Sequence, residues 1–161
     1  MSNAIRYVKK EIRQIEKTDT PEALRLKIEE IIEEFIKDNF TLHPAAISQT
    51  ANKKIRHGDV ILTYSYSKLV ERALLDAAEA GKKIKVIVAD ERVESLGRVL
   101  SRRLVSAGLH TTYILITAVS QVLPSVTKVL LGCDGVMANG CVLATVGTSQ
   151  VKLSYLDSHI S

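Results

Sequence analysis

Residues 131–148 read LGCDGVMANGCVLATVGT, and within them one carboxylate, Asp134, sits among glycines directly after the apolar run Val126–Leu131. A carboxylate at the end of a buried strand, itself partly buried, can serve as a general acid or base with a raised pKa. It can equally cap the loop by accepting hydrogen bonds from nearby backbone N–H groups. Gly132, Gly140 and Gly147 supply permissive backbone, and Thr148 can cap a following helix. Taken alone, these residues describe a strand-end pocket able to accept a phosphate.

Two further segments could contribute to such a pocket. In VIVADER, Asp90 stands where a dinucleotide-binding fold places the acid that holds a ribose, but TYSYSKL, which follows the first strand, contains no G-x-G-x-x-G. Nicotinamide dinucleotide binding is therefore not expected. A G-x-x-x-x-G-K-[ST] loop is also lacking, so no P-loop nucleotide hydrolysis is expected. Ser65 and Ser67 fall near a helix start, where N–H groups favour anions, with Ser67 read first as a helix cap. Arg92 can clamp a phosphate bidentately, or it can pair with Asp90, Glu91 or Glu94 around it. His43, His57 and His110 lie outside these loops, so no Ser-His-acid arrangement emerges. Cys133 and Cys141 match no zinc spacing and read as buried free thiols of a reducing interior.

The elements that must position these residues follow from periodicity. Between Asn3 and Arg56 the apolar residues recur at helical spacing: Ile5, Val8, Ile12 and Ile15, then Leu24, Ile28, Ile31 and Phe35. Thr20 before Pro21 is a helix start, Glu29, Glu30, Glu33 and Glu34 form a solvated outer face, and a third helix spans about Pro44 to Ile55. After Gly58 short apolar strands (60–62, 84–88, 112–116 and 126–131) alternate with helices over 67–80, 96–107 and 119–123. This is the grammar of a parallel sheet covered on both faces. The expectation is an α/β protein in two parts: a helical N-terminal bundle, residues 1–57, and a Rossmann-like parallel sheet, residues 58–161. Ligands of such sheets bind beyond the carboxyl ends of the strands, here the loops 63–67, 90–97 and 133–148.

Composition narrows the function classes. The chain has 161 residues, of which 46% are hydrophobic and 25% charged, which suits a protein with a substantial core. Its surplus of charge, +4, is spread evenly along the chain, and aromatics make up 4% with no Trp. That pattern lacks the basic face and stacking platforms of a direct nucleic-acid binder. No apolar run reaches the length of a membrane span and no signal peptide is apparent, so a cytosolic location is the default.

Several segments together resemble one family. NAIRY at 3–7, NKKIRHGDVILTYS at 52–65, VIVADER at 86–92, SQVLPSVTKVLLG at 120–132 and ANGCVLATVGT at 138–148 are similar, in order and spacing, to the alpha, beta and delta regulatory subunits of translation initiation factor 2B. NAIRY and SQVLPSVTKVLLG lean toward the delta type. Methylthioribose-1-phosphate and ribose-1,5-bisphosphate isomerases share this fold. Their resemblance places a catalytic cysteine at Ser65 and a catalytic aspartate at Asp134, and a substrate-holding Asn-Lys pair where this chain has Ala144 and Thr145. Arg92 matches a phosphate-contacting arginine, and Asn139, Gly140, Gly147 and Thr148 complete the implied ligand pocket. With serine in place of cysteine, the resemblance implies a vestigial site and no isomerase activity. The expected role is regulatory, without cofactor or metal. The implied partners are the beta, gamma, epsilon and alpha subunits of factor 2B and factor 2 with its phosphorylated alpha subunit, which Arg6 would approach. Relatives carry further strands, so this chain is expected to be a truncated product, or to rely on a partner to cover an open hydrophobic sheet edge.

Overall fold

The computed structural model describes residues 2–14 and 20–160. By their contacts the residues form two units, Met1–Ala46 and Ile47–Ser161. In the first, α1 (Ser2–Gln14) packs on α2 (Pro21–Lys37). Thr20 is extended, and its hydroxyl accepts a hydrogen bond from the Ala23 amide at 3.4 Å while Pro21 takes the first helical position, as the sequence indicates. The partly buried large apolar positions are Val8 and Ile12 on α1 and Ile28, Ile31 and Phe35 on α2. The Tyr7 and Phe35 rings lie 5.2 Å apart. Ile5 and Leu24 stay exposed, and Ile15 lies outside the described residues. The four glutamates are exposed, with Arg25 pairing to Glu29 at 2.9 Å. A five-residue π-helical turn, Asp38–Leu42, carries α2 without a break into α3 (His43–Lys54).

The second unit is the Rossmann-like α/β part. It runs β1 (Val60–Tyr64), α4 (Lys68–Glu79), β2 (Lys85–Asp90), α5 (Leu96–Ser106), β3 (His110–Leu115), α6 (Val119–Val122), β4 (Lys128–Val129), a hairpin of β5 (Gly135–Val136) and β6 (Val142–Leu143), and α7 (Thr148–Ile160). The first four strands form one parallel sheet in the order β3-β2-β1-β4. Because successive side chains point to opposite faces, the central strands feed two cores. Ile61, Val86 and Val88 join Leu74, Leu100 and Leu104 under α4 and α5. Leu62, Ile87 and Ala89 join Val119, Leu123 and Val151 under α6 and α7. Helices therefore cover both faces, as the apolar strands require.

Two expectations change. The division into units falls inside α3 rather than after residue 57, because the later turns of α3 are fastened to the α/β unit. Ser48 donates to the Asp76 carboxylate, Asn52 to the Ala73 carbonyl, and Lys82 to the carbonyls of Asn52 and Ile55, with Ile55 in the core. The last strand of the sheet is shorter than 126–131, since the turn Leu123–Ser125, which contains Pro124, delays its entry. The amides of Thr127 and Leu130 still donate to Val60 and Leu62 on β1 at 2.9 Å.

So short a ladder needs a second attachment, which Asp59 provides. Its buried carboxylate accepts from Lys128 Nζ at 2.8 Å through both oxygens, from the Thr127 hydroxyl at 2.9 Å and from the Arg56 amide at 2.6 Å. Burial alone would raise the Asp59 pKa, but the bonds from Lys128, Arg56 and Thr127 together outweigh it and hold the carboxyl below its ordinary value. Asp59→Asn should cost about 1.5–3 kcal/mol of stability at neutral pH, the range for a hydrogen bond to a charged group. A depressed folded-state pKa stabilises above the unfolded-state value of 3.8, and that contribution is lost as pH falls through the folded-state value. Urea titrations at about pH 7 and about pH 2 should therefore show the gap between wild type and variant closing in acid.

Candidate functional site

β1 is the point at which the chain changes direction in the sheet. From it the chain proceeds to β2 on one side, while β4 returns on the other, so the loops leaving the carboxyl ends of β1 and β4 part and leave a crevice. A cavity of about 320 Å³ opens there. The end of β1 contributes Tyr64 and the segment after it Tyr66, Ser67 and Lys68; the segment after β4 contributes Gly132 and Asp134. Thr145 and Thr148 add a third wall at the start of α7. Two helix N-terminal ends, those of α4 and α7, thus meet at one cavity that Lys68 also lines. Free N–H groups and a cation together suit an anion.

Three tyrosine and glycine arrangements shape these walls. Tyr64 is buried, and its hydroxyl donates to the Val146 carbonyl at 2.8 Å, tying the last loop to β1. Burial, and then the charges of Glu91 and Asp90, raise its pKa, so it remains a neutral donor. Gly147 follows with φ 98°, and a Cβ at that position would overlap the Tyr64 ring and meet Ile116 Cδ1 at 2.9 Å. Tyr66 donates to Glu71 at 2.8 Å, and Arg103 donates to both Glu71 and the Tyr66 hydroxyl at 3.0 Å, with its guanidinium 5.6 Å from the Tyr66 ring centre. The bond to Glu71, then burial, raises the Tyr66 pKa. Gly132 lets the loop after β4 pass Ser67, whose Oγ would lie 2.6 Å from a Cβ there.

Of the residues singled out by sequence, the structure brings Asp134 and Thr148 together at the cavity, with Ser67, Gly132, Cys133 and Thr145 also in its lining. Asp134 is exposed, not partly buried, because the chain after β4 leaves the sheet at once; its amide donates to the Leu143 carbonyl at 2.8 Å. Ser65 is buried at the end of β1, with φ 55° and its amide donating to the Ala89 carbonyl, and it is not among the residues lining the cavity. Such left-handed backbone on a non-glycine residue costs about 1–2 kcal/mol. Ser67 occupies the N-cap position of α4 but makes no side-chain cap bond.

The other candidates lie elsewhere. Arg92 is exposed, and only its carbonyl is engaged, by the Ser95 hydroxyl at 3.1 Å. Asp90 is completely buried and accepts from the Glu91 amide and the Tyr113 hydroxyl rather than from Arg92. Asn139 and Gly140 form the hairpin turn, Asn139 Oδ1 accepting from the Cys141 amide at 3.0 Å and Gly140 holding φ 81°. Arg6 is exposed on α1, in the helical unit. Cys133 and Cys141 are free but exposed, correcting the expectation of buried thiols: the loop and hairpin that carry them are not covered by the sheet or its helices. Lys68 and Tyr66 were missed by sequence reasoning. Their signal is position, directly after the strand at which the sheet changes direction.

The model of the initiation factor 2 subunit family matches residues 1–160. The chain belongs to the initiation factor 2 subunit family. Within it, the chain is 37% identical over 160 residues to translation initiation factor eIF2B subunit delta of Schizosaccharomyces pombe, covering 99% of this chain and 34% of the relative. It is 33% identical to ribose 1,5-bisphosphate isomerase of Pyrococcus furiosus, over 96% of this chain and 48% of that enzyme. Among solved structures, the tetrameric eIF2B-beta2-delta2 complex from C. thermophilum matches with TM-score 0.92 and 30% identity, over 98% of this chain and 51% of that one. The chain thus spans between about a third and a half of the length of these relatives.

For this family member the loop leading into α7 depends on a glycine pressed against a tyrosine. Gly147→Ala should destabilise by more than about 2 kcal/mol, adding steric overlap to left-handed strain. Gly140→Ala, strained by φ but with no atom within 4 Å of its Cβ, should cost only about 1 kcal/mol. Paired thermal melts of the two variants check the difference.

Proposed function

We propose that this chain acts in the cytosol as a non-catalytic regulatory subunit of the initiation factor 2B nucleotide-exchange complex, binding other subunits of that complex. Its similarity to delta subunits over nearly its whole length, at TM-score 0.92 to the beta2-delta2 tetramer, carries this reading. The site supports it. Isomerisation between adjacent sugar carbons needs an acid and a base across the substrate. Here Asp134 is at the cavity, while Ser65, at the position of the isomerase cysteine, is buried and does not line it. Co-expression with the other factor 2B subunits should yield a complex that copurifies with this chain. Turnover of ribose 1,5-bisphosphate that vanished in Asp134→Asn would overturn the assignment.

Sensing of phosphorylated factor 2 belongs to the same proposal and falls to the helical unit. Arg6, exposed on α1, is the candidate contact, as a guanidinium pairs bidentately with phosphate. Arg6→Glu should weaken binding of the phosphorylated alpha subunit of factor 2 by about tenfold or more and leave binding of the unphosphorylated form nearly unchanged. Equal effects on both forms, or none, remove Arg6 from that role.

A second reading, sugar-phosphate binding without turnover, is favoured by one observation: the cavity joins two helix N-terminal ends with Lys68. In that case ribose 1,5-bisphosphate should bind by calorimetry and Lys68→Ala should weaken it by about fivefold or more. Absence of any heat of binding at millimolar ligand disposes of this reading alone.

A further inference from the structure

The amino-terminal ends of the strands, opposite the cavity, carry a group of cations that the fold does not use. Backbone bonds bring three segments together there. The Gly58 amide donates to the Lys83 carbonyl at 2.8 Å, the Lys85 amide donates to the Asp59 carbonyl at 2.9 Å, and Lys85 stands in register with His110 at the start of β3. Arg56, Lys83 and Lys85 are exposed on these segments, with Lys53 and Lys54 exposed on the last turn of α3, which Lys82 fastens to the α/β unit. Lys82 is committed to that fastening. No salt bridge joins any of the other five to an acid among the described residues. The ends of α4 and α5 beside them do not call for cations either, because the Lys82 and Leu109 amides already donate to the last-turn carbonyls of Ala77 and Leu104, at 3.1 and 3.0 Å. Of the acids in residues 53–60 and 79–85, Asp59 is buried and held by Lys128, which leaves Glu79 exposed against five cations. Charge that is spread evenly along the sequence is therefore gathered in space by the pairing of the strands.

We propose that this end of the sheet is a docking surface for an acidic polypeptide segment, one that carries several Asp or Glu side chains close together. Uncompensated cations of one sign raise the local potential and draw in the opposite charge. The surroundings select among anionic partners. Single-stranded nucleic acid stacks its bases on aromatic rings, and a membrane surface takes up apolar side chains beside basic ones. Residues 53–60, 82–85 and 107–110 contain no Phe, Tyr or Trp, and none of their large apolar side chains is exposed. What they offer is ion pairing and hydrogen bonding to carboxylates. His57 adds a donor, since its Nδ1 accepts from the Lys83 amide at 3.4 Å and its ring proton is thereby held on Nε2. A cavity of about 410 Å³ between the ends of α4 and α5, lined by Lys83 and His110 among others, gives such a segment a place to seat a side chain. This surface is separate from the cavity at the carboxyl ends of the strands and from Arg6, so its partner need not be one that binds at either.

Fluorescence anisotropy of a labelled oligoglutamate peptide, titrated with the purified full chain at about 0.1 M salt, tests it. Binding is expected and should weaken as salt rises. Lys83→Glu and Lys85→Glu should each weaken it at least about fivefold. Lys152→Glu, an equal change of net charge at an exposed position of α7, should leave it within about twofold. Should the glutamate variants fail to fold, carbodiimide coupling of the peptide to the unaltered chain gives a second measurement, in which mass spectrometry should find Lys83 or Lys85 joined to the peptide well before Lys68 or Lys152. A peptide that does not bind, an equal loss in Lys152→Glu, or coupling spread evenly over the lysines overturns the proposal. So does tighter binding of an oligouridine or of phosphatidylserine vesicles than of the peptide.

Discussion

The carboxylate of Asp59 holds β4 against β1, and the candidate site exists only because β4 is there. Two residues of ladder pairing, with one backbone bond beyond each end, give an edge strand little resistance to fraying. Asp59 gathers three side-chain and backbone donors from two segments that are distant in sequence, Arg56 before β1 and Thr127–Lys128 at the start of β4. The consequence reaches the opposite end of the strands. With β4 fixed at its start, the chain leaves β4 beside the segment that follows β1, and the crevice between them has two walls instead of one.

The other walls are fixed by tyrosines whose hydroxyls are committed to structural partners. Tyr64 reaches across to the backbone of the α7 loop, and Tyr66 is held by Glu71 and Arg103 between α4 and α5. Their raised pKa values keep both neutral, so these bonds persist throughout the physiological range. The cavity is therefore preorganised in shape and in the direction of its helix dipoles. Asp134, which lines it, is exposed, and Ser65 is buried outside its lining.

Most of the fold was legible in the sequence because the central strands are apolar on both faces and are followed by helices that glycine ends. Residues 84–88, apolar on both faces between two helical stretches, read as a buried strand and fall on β2, and Gly81 and Gly108 mark where α4 and α5 stop. Legibility fell where pairing is short and local. The hairpin has two residues per strand, too few for an alternating pattern to register, and its apolar residues resemble the core residues of the preceding segment. That resemblance explains the misplaced cysteines: a thiol among valines and glycines reads as buried unless the sheet is known to end before it. The residues of the cavity that the sequence did not single out, Lys68 and Tyr66, belong to no motif. They matter because of strand order, which a single chain of letters does not contain.

The two units also differ in how they are stabilised. The α/β unit encloses two cores with fully buried leucines and valines on both sides of its sheet. In the helical unit, α2 contributes no fully buried residue, and Leu26, Ile36 and Phe40 lie exposed along it and the turn that follows. A helix of that length gains little from propensity alone and draws most of its stability from burying an apolar face. One neighbouring helix buries only part of that face. The remaining apolar surface, flanked by the glutamates of α2, is the kind of face that binding would order further. Among the described residues, the two clusters of buried side chains both lie against the sheet of the α/β unit.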